Sequence, residues 1–151
     1  MTRIKIGVLL VLLAGASFFA GVSAQSGRRY ITPRTPADAN LPPFSGAVVV
    51  GDTMYLSGQL GLETGNKPPA SAEAEATNVL NNVQNLLKQG GMTMDDLVYV
   101  QIFCPDVANY AAFNGVYRTF FKQEFPARAF VGSGGLLYGA RFEVQAIAVK
   151  R

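Results

Sequence analysis

At 151 residues the chain has room for one domain and not for two. Hydrophobic residues make up 49% and charged residues 15%, enough apolar surface to bury a core and too little charge for a disordered chain. No histidine is present, which excludes Ser-His-Asp and Cys-His nucleophiles, imidazole bases and His-bearing zinc sites. The single cysteine, Cys104, excludes an intrachain disulfide or a cysteine metal cluster.

The N-terminus reads as a signal peptide over residues 1–24. Arg3 and Lys5 form a positive n-region, Gly7 to Ala20 an apolar core, and Val22-Ser23-Ala24 offers small residues before a cut after Ala24. Export to the periplasm or beyond the cell is therefore expected, leaving one domain over 25–151 with no membrane attachment. The alternative is a retained anchor spanning Ile6 to Ala24, diluted by glycine, alanine and serine. This segment takes two of the 13 basic residues and none of the 10 acidic ones, so the remainder carries 11 against 10, a net charge of +1. Such a chain is poorly suited to grasping nucleic acid by charge.

Residues 25–43, with four prolines and few apolar side chains, predict a surface arm with one short strand near Tyr30-Ile31. Ala47 to Val50, the turn pair Gly51-Asp52 and Thr53 to Ser57 predict a tight hairpin. Residues 61–70 form a loop. Ser71 then caps a helix whose first turn carries Glu73 and Glu75, suited to the positive end of the dipole. Ala76, Val79, Leu80, Val83, Leu86 and Leu87 make its apolar stripe, and Gly90-Gly91 stops it.

Leu97 to Cys104, apolar on both faces, predicts a central strand ended by Pro105-Asp106. From Val107 to Lys122, the spacing of Tyr110, Phe113, Val116, Tyr117, Phe120 and Phe121 predicts a second helix. Strands over Ala127–Val131 and Arg141–Val149 follow, separated by a glycine-rich connection. This order predicts an α+β fold with two helices on one face of a mixed sheet. The other face also has apolar residues, and covering it predicts a closed homo-oligomer.

Two charges stand inside strands that otherwise belong in a core: Arg128 and Glu143. Either they pair with each other on adjacent strands, or the arginine binds a carboxylate beside a water-activating acid. Ser57-Gly58-Gln59 is expected at a strand end, as an ordinary turn or as a source of free backbone donors. Asn114, mid-helix among apolar neighbours, reads as a cap or tie before it reads as a ligand, and Cys104 as a small core residue.

Five ordered motifs carry a resemblance over about Ile31 to Arg151. They are Phe44-Ser45-Gly46-Ala47, Tyr55-Leu56-Ser57-Gly58-Gln59, Asn114-Gly115-Val116-Tyr117 with Phe120-Phe121, Pro126-Ala127-Arg128, and Phe142-Glu143-Val144-Gln145-Ala146-Ile147-Ala148. In order and spacing they resemble the RidA (YjgF/YER/UK) reactive-intermediate deaminases. The resemblance implies a chorismate-mutase-like homotrimer with sites between subunits, hydrolysing enamines or imines such as 2-aminoacrylate to 2-oxo acids and ammonia without a cofactor or metal. Arg128 matches the family's substrate arginine and Glu143 its water-positioning glutamate, with Ser57, Gly58 and Asn114 lining the cleft.

Where many members carry tyrosine and cysteine, this chain has Phe44 and Phe130, which makes the cleft more apolar. The alternatives to an imine deaminase are a module that binds a small carboxylate without catalysis, and an endoribonuclease. The last finds no basic aromatic patch to support it.

Overall fold

The computed structural model describes residues 27–151, so the expected signal peptide and its cut after Ala24 lie outside the described residues. Six strands form one sheet: β1 (Arg28–Ile31), β2 (Ala47–Val50), β3 (Thr53–Leu60), β4 (Leu97–Cys104), β5 (Ala127–Gly132) and β6 (Glu143–Val149). Their order across the sheet is β1-β2-β3-β6-β4-β5. Only β4 and β5 are parallel, joined by a helical crossover; all other neighbours are antiparallel. The mixed α+β sheet matches the expectation.

The first helix, α1 (Ala72–Gly90), begins as read from the sequence: Ser71 Oγ accepts from the Ala74 amide at 3.1 Å. It ends at Gly91, whose φ of 77° is the left-handed conformation that glycine adopts without steric cost. Its stripe of Ala76, Val79, Leu80, Val83, Leu86 and Leu87 is buried, each large side chain contributing about 1.5–3 kcal/mol of transfer free energy. The second helix departs from its expected span of 107–122. Only Tyr110–Tyr117 (α2) is α-helical, flanked by 3₁₀ turns at Val107–Asn109 and Arg118–Phe120. The segment is rich in aromatic, β-branched and amide side chains with a glycine at 115, all weak helix formers, so its ends tighten rather than extend.

Both helices cover one face of the sheet. Met54, Leu56, Val100, Ile102, Cys104, Val144, Ala146 and Ala148 meet the helices with Phe113 and Tyr117 in one core. Cys104 is buried there, its thiol pushed up by burial, as a core cysteine should be. The other face carries Tyr55, Val131 and Val149, all exposed on this chain, together with half-buried Val48 and Phe103.

One charge lies inside this core. Glu75 is fully buried, and its Oε1 accepts from the backbone amides of Arg141 at 2.6 Å and Phe142 at 3.2 Å. Its Oε2 takes the Arg141 guanidinium at 2.8 Å, which also donates to the Pro69 carbonyl at 2.9 Å. The sequence pattern had marked Glu75 only as a first-turn dipole residue; the structure makes it the clamp between α1 and the entry to β6. Replacing it leaves buried amides and a guanidinium without acceptor. Glu75→Ala is expected to lower unfolding free energy by about 3–5 kcal/mol, measured as a shift in denaturant midpoint.

Candidate functional site

As an edge strand, β5 is bonded only to β4. Arg128 stands opposite Val100, and Val100 opposite the buried Ala146, so Arg128 projects to the helix side. Its guanidinium carbon lies 4.7 Å from the ring centroid of Tyr117 and 5.8 Å from that of Tyr110, both on α2. Such contacts contribute about 0.5–2 kcal/mol. They hold the guanidinium at a cavity of about 210 Å³ walled by Tyr110, Asn114, Tyr117, Arg118, Phe125 and Pro126. Phe130, two residues further along the same strand face, packs edge-on against Tyr110 at 5.1 Å and Phe113 at 5.8 Å, and supports this wall from below.

Asn114 faces the cavity rather than capping a helix end. Its side chain beside the Tyr110 hydroxyl, with the Arg128 charge, draws that phenol below its ordinary value. Tyr117 is the opposite case. Its ring is buried and, among the described residues, its hydroxyl is the one buried side-chain polar atom without a hydrogen-bond partner. Burial pushes the phenol up to about 12, against the pull of Arg128.

The acid lies elsewhere. Glu143 opens β6 opposite Phe103 of β4 and Leu60 of β3, on the face away from the helices. Strand β4 separates β5 from β6, and Arg128 and Glu143 align with Val100 and Phe103 respectively. The two residues are therefore roughly 10 Å apart across the sheet and roughly 10 Å along it, on opposite faces. Among the described residues the only ion pair is Arg141 with Glu75. The adjacent-strand pairing of Arg128 with Glu143 does not occur, because parallel β5 joins the sheet beyond β4 rather than beside β6.

The Glu143 carboxylate rests over Gly58: a methyl group on Gly58 would overlap Glu143 Oε1. Ser57 and Gly58 are not at a strand end, as expected, but inside β3 at a bulge, between the pairs Leu56↔Ala146 and Gln59↔Val144. The extra residue lets the backbone pass beneath the acid. Ser57 is committed within the chain. Its hydroxyl donates to the Ser45 carbonyl at 2.6 Å and its amide to Gly46 at 3.0 Å. Gln59 Nε2 donates to the Ser57 and Gly58 carbonyls at 3.1 and 3.0 Å. Phe44 is exposed and lines a separate groove with Thr32, Arg34, Pro42 and Gln59.

The expected residues thus form two groups on one chain: Arg128, Asn114 and Phe130 on the helix side, and Glu143, Gly58 and Ser57 on the open face, with Phe44 apart. Tyr110, Tyr117, Arg118 and Phe125 were not singled out as site residues. The first two sat in the second helix's apolar stripe, where only their hydroxyls distinguished them from core phenylalanines.

A single sheet with two helices on one face, an arginine-bearing aromatic cavity at its edge and an acid over a glycine bulge make an α+β domain with an edge cavity of small-molecule size. The chain belongs to the family described as Endoribonuclease L-PSP, the YjgF/RidA family, which it matches over residues 35–150. A 2-iminobutanoate/2-iminopropanoate deaminase of Capra hircus is 36% identical over 124 residues, covering 81% of this chain and 90% of that protein. Among solved structures, RidA of Psychrobacter sp. PAMC 21119 superposes with a TM-score of 0.68 at 29% identity, covering 72% of this chain and 89% of that one. E. coli TdcF with bound serine gives 0.69 at 28% identity, covering 74% and 91%.

The unpartnered Tyr117 hydroxyl makes a stability prediction with a definite sign. A phenol held above its ordinary value of 10.0, at about 12, favours the neutral form in the folded state. That contribution is fully present below pH 10 and lost as pH rises from 10 to 12. Tyr117→Phe is expected to flatten this alkaline loss in pH-dependent denaturant unfolding. At neutral pH it should equal the parent or exceed it by up to about 1 kcal/mol, since no hydrogen bond is broken.

Proposed function

We propose that this protein hydrolyses 2-imino acids, and the enamines that tautomerise to them, to 2-oxo acids and ammonia. Its sites lie between copies of the chain in a homotrimer. What carries the reading is the back-to-back arrangement of Arg128 and Glu143. One chain cannot apply both to one small substrate, whereas a ring that seats the helix-side edge of one copy on the open face of the next can do so. The name and similarity of the Capra hircus relative support the substrate class, and the bound serine of TdcF supports a ligand the size of a small amino acid.

In this mechanism Arg128 binds the substrate carboxylate through a bidentate fork, held by the two tyrosine rings. Glu143 orients a water molecule on the imine carbon and takes one of its protons. Glu143 returns that proton to the nitrogen and then moves the hydroxyl proton of the resulting carbinolamine to the same atom; ammonia leaves as the C–N bond breaks to give the 2-oxo acid, so imine and water balance oxo acid and ammonia. An imine is already electrophilic, and positioning with general-base help of about 10²- to 10⁴-fold is enough to account for catalysis. The proposal includes export, with the working protein beginning at Gln25.

Ammonia release from 2-iminobutanoate, generated in situ by an amino-acid oxidase, tests the reading. Arg128→Ala is expected to fall to the uncatalysed rate and Glu143→Gln to lose about 10²-fold or more. Co-expressed Arg128→Ala and Glu143→Gln chains should regain about a quarter of the parent activity, because random rings rebuild that share of intact interfaces. A parent no faster than the uncatalysed reaction refutes the deaminase, an Arg128→Ala variant as active as an accelerating parent refutes the role of Arg128, and no recovery on mixing refutes the shared site.

Gly58→Ala supplies an independent check on the acid. The added methyl displaces the flexible end of Glu143 rather than backbone. Melting should therefore change by less than about 1 kcal/mol, while turnover falls about tenfold or more as the water loses its position.

A further inference from the structure

The cavity beside Arg128 holds a second cation that the proposed reaction does not use. Arg118 follows directly on Tyr117, its guanidinium carbon 5.9 Å from the centroid of the Phe125 ring. Phe125 stacks on Tyr117 at 6.1 Å, and Tyr117 carries Arg128 on its face. One aromatic array therefore presents two guanidinium groups to one cavity.

Among the described residues of one chain no acid lines that cavity, and under the proposed function the Glu143 brought by the next copy is committed to the attacking water. Within the described residues neither arginine has a carboxylate within ion-pair distance, the single ion pair being Arg141 with Glu75. Two guanidiniums beside one small space repel each other unless anions neutralise them. A monocarboxylate satisfies one. A ligand with two carboxylates satisfies both, and each guanidinium offers a planar fork matched to a carboxylate. The volume of about 210 Å³ suits a compact acid and falls below that of drug-sized pockets.

We propose that Arg118 is a specificity residue that selects doubly charged substrates: 2-imino acids bearing a second, side-chain carboxylate, such as the imine of aspartate or glutamate. The inference rests on the deaminase reading for the reaction. Arg128 takes the carboxylate next to the imine carbon and Arg118 the distal one. Hydrolysis is otherwise unchanged: iminosuccinate and water give oxaloacetate and ammonia. The enzyme supplying such a substrate must oxidise an acidic amino acid at its α-carbon.

Calorimetric titration of the protein with 2-oxoglutarate and with 2-oxobutanoate tests the selectivity without requiring turnover. The dicarboxylate should bind about tenfold tighter or more, the scale of one additional charge-assisted hydrogen-bonding pair. Arg118→Gln should bring the ratio of the two affinities close to one, and Arg118→Lys should restore part of it. Equal affinities in the parent overturn the inference, as does a preference that survives Arg118→Gln. So does an Arg118→Gln variant that loses ring assembly on sizing while the ratio of affinities stays as in the parent, which would make Arg118 a subunit contact. Ammonia release from iminosuccinate, generated by an aspartate oxidase, separates the two claims. A dicarboxylate preference in binding with no acceleration of any imine supports the selectivity and removes the deaminase.

Discussion

The carboxylate of Glu75, sealed beneath the first turn of α1, accepts the amides of Arg141 and Phe142 just before β6 begins. Everything the open face offers hangs on that junction. Glu143 is the next residue, and its distance from the Gly58 bulge is fixed by how Phe142 is held. A neutral clamp could not satisfy two amides and a guanidinium with two oxygens as well as this ion does, because charged acceptors make the shorter and stronger bonds. The low dielectric around it makes those bonds strong and the carboxylate costly to leave without them.

The arginine end is held by different physics. Among the described residues no carboxylate pairs with Arg128; tyrosine faces from α2 hold it, and these restrain the guanidinium while leaving its donor fork open. An ion pair would have fixed the position equally well and consumed the fork. Phe130 beneath and Asn114 beside the cavity complete a wall that is rigid because α2 is packed into the core through Phe113 and Tyr117.

The local elements were open to reading from the sequence because each rests on local chemistry. The α1 stripe, its Ser71 cap and the Gly91 stop follow from helical periodicity and capping, and the hairpin at Gly51-Asp52 from turn preference. Arg128 and Glu143 stood out for a similarly simple reason, as charges within strands. Their relationship did not, since strand order is a long-range outcome: nothing in the residues 132–143 says that β6 inserts between β3 and β4 and leaves β5 at the edge. The bulge at Ser57-Gly58 escaped for the same reason, being defined only against β6. The role of Glu75 is hidden likewise: its place in the first turn of α1 fits a dipole partner, and burial of a single carboxylate is invisible until its donors arrive from residues 141 and 142.

Placing the acid and the arginine on opposite sides of a sheet has a bearing on how such a protein behaves when scarce. Under the proposed scheme a lone polypeptide is chemically silent, and competence appears only with association, so specific activity per chain would decline on dilution instead of staying constant. Dependence on assembly would also confine the reaction to whichever compartment lets subunits accumulate, making concentration itself the switch.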